Sequence, residues 1–223
     1  MNNERLRYYG GNLTIDFKEK YVYQFFKRFF DILLSTVALI LFGWFILILM
    51  FIKLCEDGHN PIYTSKRVGK DGKIIKFHKI RSMIPNAEIL KEKLIDEGKN
   101  EADGPAFKMK NDPRITKFGK FLRKSSLDEL PQIWDIFIGR LAIVGPRSPE
   151  PHEVEKFTNY QKQKLLVKGG LLCYWQIKHN RNDISFDDWI ELDLEYIKKR
   201  SVWLDLKIIF KGAWMIVFDH SGE

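Results

Sequence analysis

The strongest chemical signal in the sequence is a pair of consecutive acids, Asp128 and Glu129, within the stretch Ser125–Gln132. Ser126 and Glu129 have the spacing of a helix capping box, so the simplest interpretation is structural. If Ser126 caps a helix, Pro131 falls at the fifth helical position and removes a backbone hydrogen bond. If Asp128 is the cap, Pro131 lies in the first turn without that cost. Both placements predict the acid pair at a helix N-terminus.

A helix N-terminus gives such a pair a chemical use. Its free N–H groups and its dipole attract anions such as phosphate and favour the ionised form of a carboxylate. An ionised Asp128 suits a nucleophile or a metal ligand rather than a general acid. Adjacent carboxylates can share one Mg²⁺, which keeps several waters and bridges to substrate phosphates.

Basic residues that could hold phosphate occur in several places. Arg123 lies five residues before Asp128, and Arg147 lies in the irregular stretch Gly145–Pro151. A guanidinium group can clamp phosphate through two hydrogen bonds, although a single Arg is more often a solvated surface residue. A further basic run lies on a predicted hairpin and consists of Lys66, Arg67, Lys70, Lys73, Lys76, Lys79 and Arg81. Such charge also protects a solvated sheet edge, and no nucleic-acid reader fold accompanies it.

One apolar run divides the chain. The 21 residues from Ile32 to Ile52 carry no charge, and as a helix they extend roughly 31 Å, enough to cross a bilayer core. Few soluble helices are apolar on every face over this length, so we predict membrane insertion. Lys and Arg flank both ends, and the positive-inside rule then favours both ends in the cytoplasm. A helix that dips in and returns satisfies this rule, and Gly43 at its middle permits a break.

Aromatic residues mixed with Lys and Arg precede the run, from Tyr21 to Phe30, and predict an interfacial lead-in. Asp31 follows Lys27 at the i,i+4 spacing that predicts an ion pair. After Pro61 the pattern becomes that of a globular domain.

The globular part begins with two predicted strands, Ile62–Val68 and Ile74–Ile80, joined by a turn in which Asp-Gly tolerates positive φ. Apolar spacing predicts a helix over Pro85–Lys99 with Ala87, Leu90, Leu94 and Ile95 on one face. A second helix follows near Leu130, with Leu130, Ile133, Trp134 and Phe137 on one face. The last third is helical and aromatic-rich, typical of helices that lie on a membrane surface or pack as a core face.

Composition limits the function classes. The 223 residues are 45% hydrophobic and 30% charged, which excludes a disordered or collagen-like chain. The net charge of +8 indicates an anionic partner: nucleic acid, a phosphorylated metabolite or an acidic membrane surface. Two cysteines cannot build a disulfide framework or a zinc cluster.

Together these segments resemble the bacterial sugar transferases, the monotopic polyprenyl-phosphate phosphoglycosyl transferases. The matching motifs are Lys27-Arg28-Phe29-Phe30-Asp31, Arg67-Val68-Gly69, Lys79-Ile80-Arg81-Ser82-Met83, Asp112-Pro113-Arg114-Ile115-Thr116, the stretch from Leu122 to Gln132, Val144-Gly145-Pro146-Arg147, Glu191–Ile197 and Trp203–Lys207. The resemblance runs from about Lys27 to near Phe218. It indicates the minimal catalytic unit, without the multi-helix N-terminal extension of larger members.

The resemblance implies transfer of a phosphosugar from a UDP-sugar to polyprenyl phosphate, with release of UMP and with Mg²⁺ as cofactor. Asp128 corresponds to the family's nucleophile, which forms a phosphosugar-aspartyl intermediate, and Glu129 to the second acid of the dyad; both are expected to bind the metal. The residues expected to contact substrate phosphates are Arg123, Arg147, Lys79 and Arg81. Those expected in the nucleotide-sugar region are Gln176 and Arg181.

The implied architecture is α+β and mostly helical: an N-terminal re-entrant membrane helix, a small β-hairpin and amphipathic interfacial helices around the active site. We predict an interfacial lead-in at 1–26, a re-entrant membrane helix-turn at 27–60 and a membrane-associated catalytic domain at 61–223. The expected location is the cytoplasmic face of the bacterial inner membrane. Expected partners are a UDP-sugar, polyprenyl phosphate, anionic phospholipid and downstream glycosyltransferases, and no nucleic acid. The product would begin a capsule, O-antigen, exopolysaccharide or glycoprotein glycan.

Four departures from the family pattern stand out. Gly43-Trp44 occupies the place of a Ser-Pro pair, and Arg140 follows Gly139 where many members carry an acid. Gly169–Cys173 replaces Pro-Gly-Ile-Thr-Gly, and Ile177–Asp183 is one residue longer, which leaves the sugar open among UDP-galactose, UDP-glucose and amino sugars. These changes motivate an alternative, a catalytically inactive membrane-surface scaffold of glycan assembly. None touches the dyad, so we expect an active enzyme.

Overall fold

The computed structural model describes residues 3–101, 107, 109–178 and 184–218. Its helices are α1 (Asn3–Tyr8), α2 (Tyr21–Asp57), α3 (Ala87–Asp96), α4 (Lys117–Lys124), α5 (Gln132–Phe137), α6 (Pro151–Glu155), α7 (Asn159–Lys162), α8 (Phe186–Lys199) and α9 (Val202–Phe218). Its strands are β1 (Ile62–Val68), β2 (Ile74–Ile80), β3 (Ala142–Val144) and β4 (Gly170–Leu172). The mostly helical architecture with a small two-stranded sheet is confirmed.

The apolar run forms the middle of α2. α2 contains an 18-residue window with a mean hydropathy of 2.8 and is the one helix in the described part of the chain that is long and apolar enough to cross a membrane. Its side chains Ile40, Leu47 and Phe51 are 73%, 64% and 65% exposed. The structure does not contain the helix break predicted at Gly43, because α2 continues through it. Glycine permits a break but does not impose one, as proline does.

Both ends of α2 are bound to the globular body. Near its start, the Arg28 guanidinium donates to the carbonyl oxygens of Ile136 and Phe137, each at 2.7 Å. At its end, Asp57 accepts two hydrogen bonds from Arg81, at 2.5 and 2.7 Å. One side of this long helix therefore lies along the body, while the other side is left open.

The predicted ion pair between Lys27 and Asp31 is not formed. Asp31 is buried and accepts a hydrogen bond at 3.0 Å from the backbone N–H of Ile143. Ile143 belongs to β3, which lies beside α2. Lys27 instead pairs with Asp205 on α9 at 2.8 Å. A partly buried strand N–H needs an acceptor, and this tertiary contact overrides the local spacing.

The hairpin has the predicted bounds. β1 and β2 pair antiparallel, with Ile62 opposite Ile80 and Val68 opposite Ile74. Asp71 and Gly72 in the turn have φ of 55° and 79°, as the Asp-Gly pair predicts. A second pair, between β3 and β4, is parallel. Three-residue strands have too little periodicity to be recognised in a sequence.

Three hydrophobic clusters hold the body together. The largest joins Tyr9 and Ile15 to Ile197 on α8 and Ile208 on α9. The division at 1–26, 27–60 and 61–223 stays a prediction, although these contacts place part of the first segment in the core. A second cluster packs Leu49 of α2 against Ile80 and Leu122, which joins the apolar helix to the elements around the acid pair.

Gly119 allows α4 to pack directly against the backbone at Ser82. A Cβ at this position would lie 1.9 Å from the Ser82 carbonyl oxygen. We expect Gly119→Ala to lower the free energy of unfolding by about 2–3 kcal/mol, because the backbone must move apart. Chemical unfolding in detergent measures this difference.

Gly43→Ala is the matched control for Gly119→Ala. Both glycines are helical, but a Cβ at Gly43 meets nothing within 4 Å. We expect its effect to stay within about 1 kcal/mol and to favour folding, because Ala is the better helix former. Equal losses in the two variants would contradict the packing described for Gly119.

Candidate active site

The acid pair lies in a short 3₁₀ turn, Leu127–Glu129, directly ahead of α5. Ser126 starts this turn in the left-handed conformation, with φ of 55°. Neither Ser126 nor Asp128 caps an α-helix, because Pro131 occupies the N-cap of α5. The capping interpretations are thus corrected: proline can begin a helix but not continue one, so the acids precede the helix instead of opening it.

Asp128 is largely withdrawn from water, with 7% of its surface exposed. Burial raises the pKa of the Asp128 carboxyl, and Glu129 adds to that rise, while Lys79 and Arg123 oppose it. The prediction that a helix terminus keeps this acid ionised therefore omits the largest influence, which is desolvation. An ionised carboxylate at this position has lost much of its hydration and relies on neighbouring cations.

Lys79 supplies one of these cations. Strand β2 places its Nζ 2.5 Å from Oε1 of Glu129. Both side chains are partly exposed, so the pair lies at the mouth of the site. Sequence analysis predicted a phosphate contact for Lys79 but not its pairing with Glu129.

Arg123 supplies the other cation, from the last turn of α4. Its Nε donates to Oγ of Ser82 at 2.9 Å. Burial lowers the pKa of the Arg123 guanidinium, whereas Asp128 and Asp112 raise it. Asp112 is itself bound by Arg114, with contacts of 2.6 and 2.8 Å. The Ser82 contact holds Arg123 within electrostatic range of Asp128, and its phosphate contact stays a prediction.

Arg81 has a different role from the predicted one. Its guanidinium contacts Asp57 twice and donates to the carbonyl oxygens of Asn60 and Met83. These contacts occupy its donors and anchor the C-terminal end of α2 to β2. Arg81 therefore has a structural role through Asp57, a fixed anion within reach, and its phosphate contact stays a prediction.

Arg147 and Gln176 lie outside the acid pair. Arg147 pairs with Glu153 at 3.3 Å and lies 5.9 Å from the Trp189 ring. Gln176 accepts a hydrogen bond from the Cys173 N–H at 2.7 Å, which is a turn-capping contact. In the described part of the chain, neither residue contacts Asp128 or Glu129. Arg181 lies outside the described residues, so its predicted role stays a prediction.

Sequence analysis missed Asp135, which locks β2 to α5. This residue is fully buried, and its carboxylate accepts from the His78 backbone N–H at 2.8 Å and pairs with His78 Nδ1 at 2.8 Å. The helix buries Asp135 and leaves Trp134 49% exposed, unlike the predicted apolar face. One signal was available: an acid inside the apolar run Ile133–Phe137 needs a buried partner.

Removing Asp135 should destabilise the site. We expect Asp135→Ala to lower the free energy of unfolding by about 2–4 kcal/mol, because it leaves the His78 N–H buried without an acceptor. Asp96→Ala, at an exposed position of α3, should change it by about 0.5 kcal/mol or less. Urea titration of both variants in detergent measures the difference. Similar stabilities would mean that the Asp135–His78 pair does not hold β2 to α5.

Asp128 and Glu129 are the acids predicted to hold Mg²⁺. Among the residues described here, no group of three or more His, Cys, Asp or Glu side chains meets at one point. Mg²⁺ is commonly bound by one or two carboxylates together with waters and substrate phosphates. The donor set of two adjacent carboxylates therefore fits this ion when a diphosphate completes its coordination.

A family model described as bacterial sugar transferase matches residues 22–219. The chain is 38% identical over 226 residues to the galactosyl transferase CpsE of Streptococcus agalactiae, covering 100% of this chain and 50% of that protein. It is 39% identical over 196 residues to the undecaprenyl-phosphate galactose phosphotransferase of Salmonella typhimurium, covering 87% and 41%.

A third relative is closer in length. The exopolysaccharide production protein ExoY of Rhizobium meliloti is 37% identical over 187 residues, covering 83% of this chain and 82% of that protein. The chain thus spans about half or less of the first two relatives and most of the third. All three alignments span more than four-fifths of this chain.

Proposed function

Because the chain belongs to the bacterial sugar transferase family, we propose that it transfers a phosphosugar from a UDP-sugar to undecaprenyl phosphate. The products would be undecaprenyl-diphosphate-sugar and UMP, as the first membrane step of glycan assembly. The observation that carries this proposal is the buried Asp128 with Glu129, Lys79 and Arg123 around it. One acid withdrawn from water and held among cations is suited to attack on phosphorus.

The first step would form a covalent intermediate. An Oδ atom of ionised Asp128 attacks the β-phosphorus of the UDP-sugar, and the bond from that phosphorus to the bridging oxygen breaks. The electron pair of this bond leaves with UMP. The phosphosugar is then an acyl phosphate on Asp128, and one difficult displacement has been divided into two easier ones.

The second step would regenerate the acid. An oxygen of undecaprenyl phosphate attacks the same phosphorus, and the bond from phosphorus to Asp128 Oδ breaks. The carboxylate returns with its electron pair, and the lipid carries a diphosphate joined to the sugar. The same basic groups, Lys79 and Arg123, would stabilise the charge of both transition states.

Glu129 would position the charges rather than react. Its carboxylate holds Lys79 at the mouth of the site and, with Asp128, would hold Mg²⁺. When bound, this ion supplies charge neutralisation of the diphosphate. Arg123, fixed through Ser82, would bind a phosphate oxygen with its terminal nitrogens.

A donor screen tests the proposed activity. The names of two of the relatives described above specify galactosyl or galactose transfer, so UDP-galactose is the first donor to assay, followed by UDP-glucose and N-acetylated UDP-sugars. Purified chain in detergent with undecaprenyl phosphate and Mg²⁺ should release UMP from at least one donor. No UMP from any donor would contradict the proposal and favour an inactive scaffold.

We also propose that both ends of α2 lie on the cytoplasmic face of the membrane. Asp31 and Lys53 are roughly 33 Å apart along the helix, yet each contacts the same body: Asp31 at Ile143 and Lys53 at Thr116. A helix that crossed the bilayer would carry one of these ends to the opposite face. The contacts support an unbroken helix that lies along one face of the membrane, with its open apolar side in lipid.

Cysteine accessibility tests this topology. Cysteines placed at Asn12 and Asn60, both exposed, should react with an impermeant maleimide only in inverted vesicles. The exposed Cys55 must first be replaced by Ser, whereas Cys173 is buried. Reaction of the two sites from opposite faces would contradict the proposed arrangement.

A further inference from the structure

A second group of basic side chains lines a cleft away from the acid pair. This basic cleft has a volume of about 210 Å³ and lies between the start of α2, β3, and the loop at Lys168. Its charged lining residues are Lys27, Arg28, Asp31, Lys70, Lys168 and Arg200. Five cations therefore face one carboxylate across a small volume.

Within the described residues, the two guanidinium groups of the cleft, Arg28 and Arg200, bind no acid. Arg28 donates to the carbonyl oxygens of Ile136 and Phe137. Arg200 donates to the carbonyl oxygens of Ile197 and Lys18. Neutral carbonyls orient a guanidinium without cancelling its charge, so both groups keep a net positive charge toward the cleft.

Lys168 is the most informative member of the group. Burial lowers the pKa of its ammonium, Arg28 and Lys27 lower it further, and Asp31 opposes the change. Within the described residues, Lys168 makes no hydrogen bond and no ion pair. A partly buried lysine without an acid partner, among other cations, is costly unless an anion joins it.

Nearby acids do not neutralise the cleft. Asp205 pairs with Lys27, and the Asp31 carboxylate accepts from the Ile143 N–H. Glu19, on the side of Lys70, is bound to Arg5 at 2.6 Å. A neutral N–H does not cancel the charge of Asp31, so in the described part of the chain this one carboxylate faces four cations that have no acid partner: Arg28, Lys70, Lys168 and Arg200.

The position of the cleft indicates where its anion comes from. Arg28 contacts the C-terminal end of α5, whereas the acid pair precedes the N-terminus of the same helix. On α2 the neighbouring Phe26 and Phe29 are 46% and 53% exposed, which is typical of side chains at a lipid interface. The cleft thus lies at the opposite end of α5 from the acid pair, beside exposed aromatic side chains of the kind found at lipid headgroups.

We propose that the basic cleft binds an anionic phosphate group at the membrane surface, at a site distinct from Asp128 and Glu129. The phosphate of an anionic phospholipid is the source that its position favours. Lys168 and Lys70 would contact the phosphate directly, with Arg28 and Arg200 behind them. Bound lipid would fix the start of α2 against the body.

Binding of short-chain lipid tests the proposal on the full chain in neutral detergent. Dihexanoyl phosphatidylglycerol should bind saturably in calorimetric titration, and Lys168→Gln should weaken it about tenfold, the effect of losing one charge-assisted contact. Lys207→Gln is the matched control, because it removes an exposed lysine of α9 outside the cleft. Its affinity should stay within about twofold of wild type.

Inorganic phosphate distinguishes the two sources. If phosphatidylglycerol binds saturably and inorganic phosphate does not, the site is assigned to lipid. If inorganic phosphate binds comparably, the site is assigned to a free phosphate. Either result supports a phosphate-binding site in the basic cleft. Lys70→Gln, in the turn between β1 and β2, replaces Lys168→Gln if circular dichroism shows that the latter does not fold. The absence of saturable binding, or equal weakening by the cleft and control variants, would overturn the proposal. So would loss of binding in Arg123→Gln, because the phosphate would then lie at the acid pair.

Discussion

Asp128→Asn is expected to abolish UMP release, with kcat at least about a thousandfold lower than that of the wild type. The substitution keeps the shape of the side chain and removes only the charged oxygen that would attack phosphorus. Because burial raises the pKa of Asp128, the wild-type carboxylate opposes burial, and the neutral amide should fold at least as well. Initial rates with saturating UDP-sugar and undecaprenyl phosphate measure the loss.

Two controls accompany this variant. Asp96→Asn, on the exposed side of α3, makes the same chemical change away from the site and should keep wild-type rates. Urea unfolding of Asp128→Asn should give a stability equal to or above that of the wild type. A variant that keeps more than about one-tenth of the wild-type rate would show that Asp128 is not the attacking group.

Glu129→Gln is expected to lower kcat about a hundredfold and to raise the Mg²⁺ concentration needed for half-maximal rate. It removes one of the two carboxylates that would hold the ion and leaves Lys79 without its 2.5 Å partner. Asp128 remains, so residual turnover should persist, unlike in Asp128→Asn. A Mg²⁺ titration of the rate separates weaker metal binding from slower chemistry.

Glu92→Gln, exposed on α3, is the matched control for Glu129→Gln and should leave the Mg²⁺ dependence unchanged. If Glu129→Gln lowers kcat but leaves the Mg²⁺ requirement unchanged, Glu129 does not act by holding the metal. An unchanged kcat would contradict the proposed site as a whole.

Local pattern predicted the parts of the fold that depend on local rules. Two strands of alternating β-branched and aromatic residues around Asp71-Gly72 gave the bounds of β1 and β2. The uncharged run from Ile32 to Ile52 predicted the long apolar helix, because a helix that is apolar on every face has no polar side to present to water. The acid pair was found because two adjacent carboxylates beside basic residues are chemically unusual.

Contacts between segments distant in the chain could not be predicted from the sequence. Lys27 binds Asp205 rather than Asp31, and Asp135 binds His78 across 57 positions of the chain. Arg81 binds Asp57 on α2, a contact that its place in a basic run does not predict. In each case the local spacing allowed several partners, and tertiary packing selected one.

The most direct test of the account is to isolate the covalent intermediate. Purified chain, Mg²⁺ and a UDP-sugar labelled in the sugar, without undecaprenyl phosphate, should yield labelled protein and about one equivalent of UMP. Trypsin should release the peptide Ser125–Arg140 carrying one phosphosugar on Asp128, and undecaprenyl phosphate added before digestion should remove it. Label that appears equally in Asp128→Asn, or UMP formed only when the acceptor is present and with no label on the protein, would contradict transfer through Asp128.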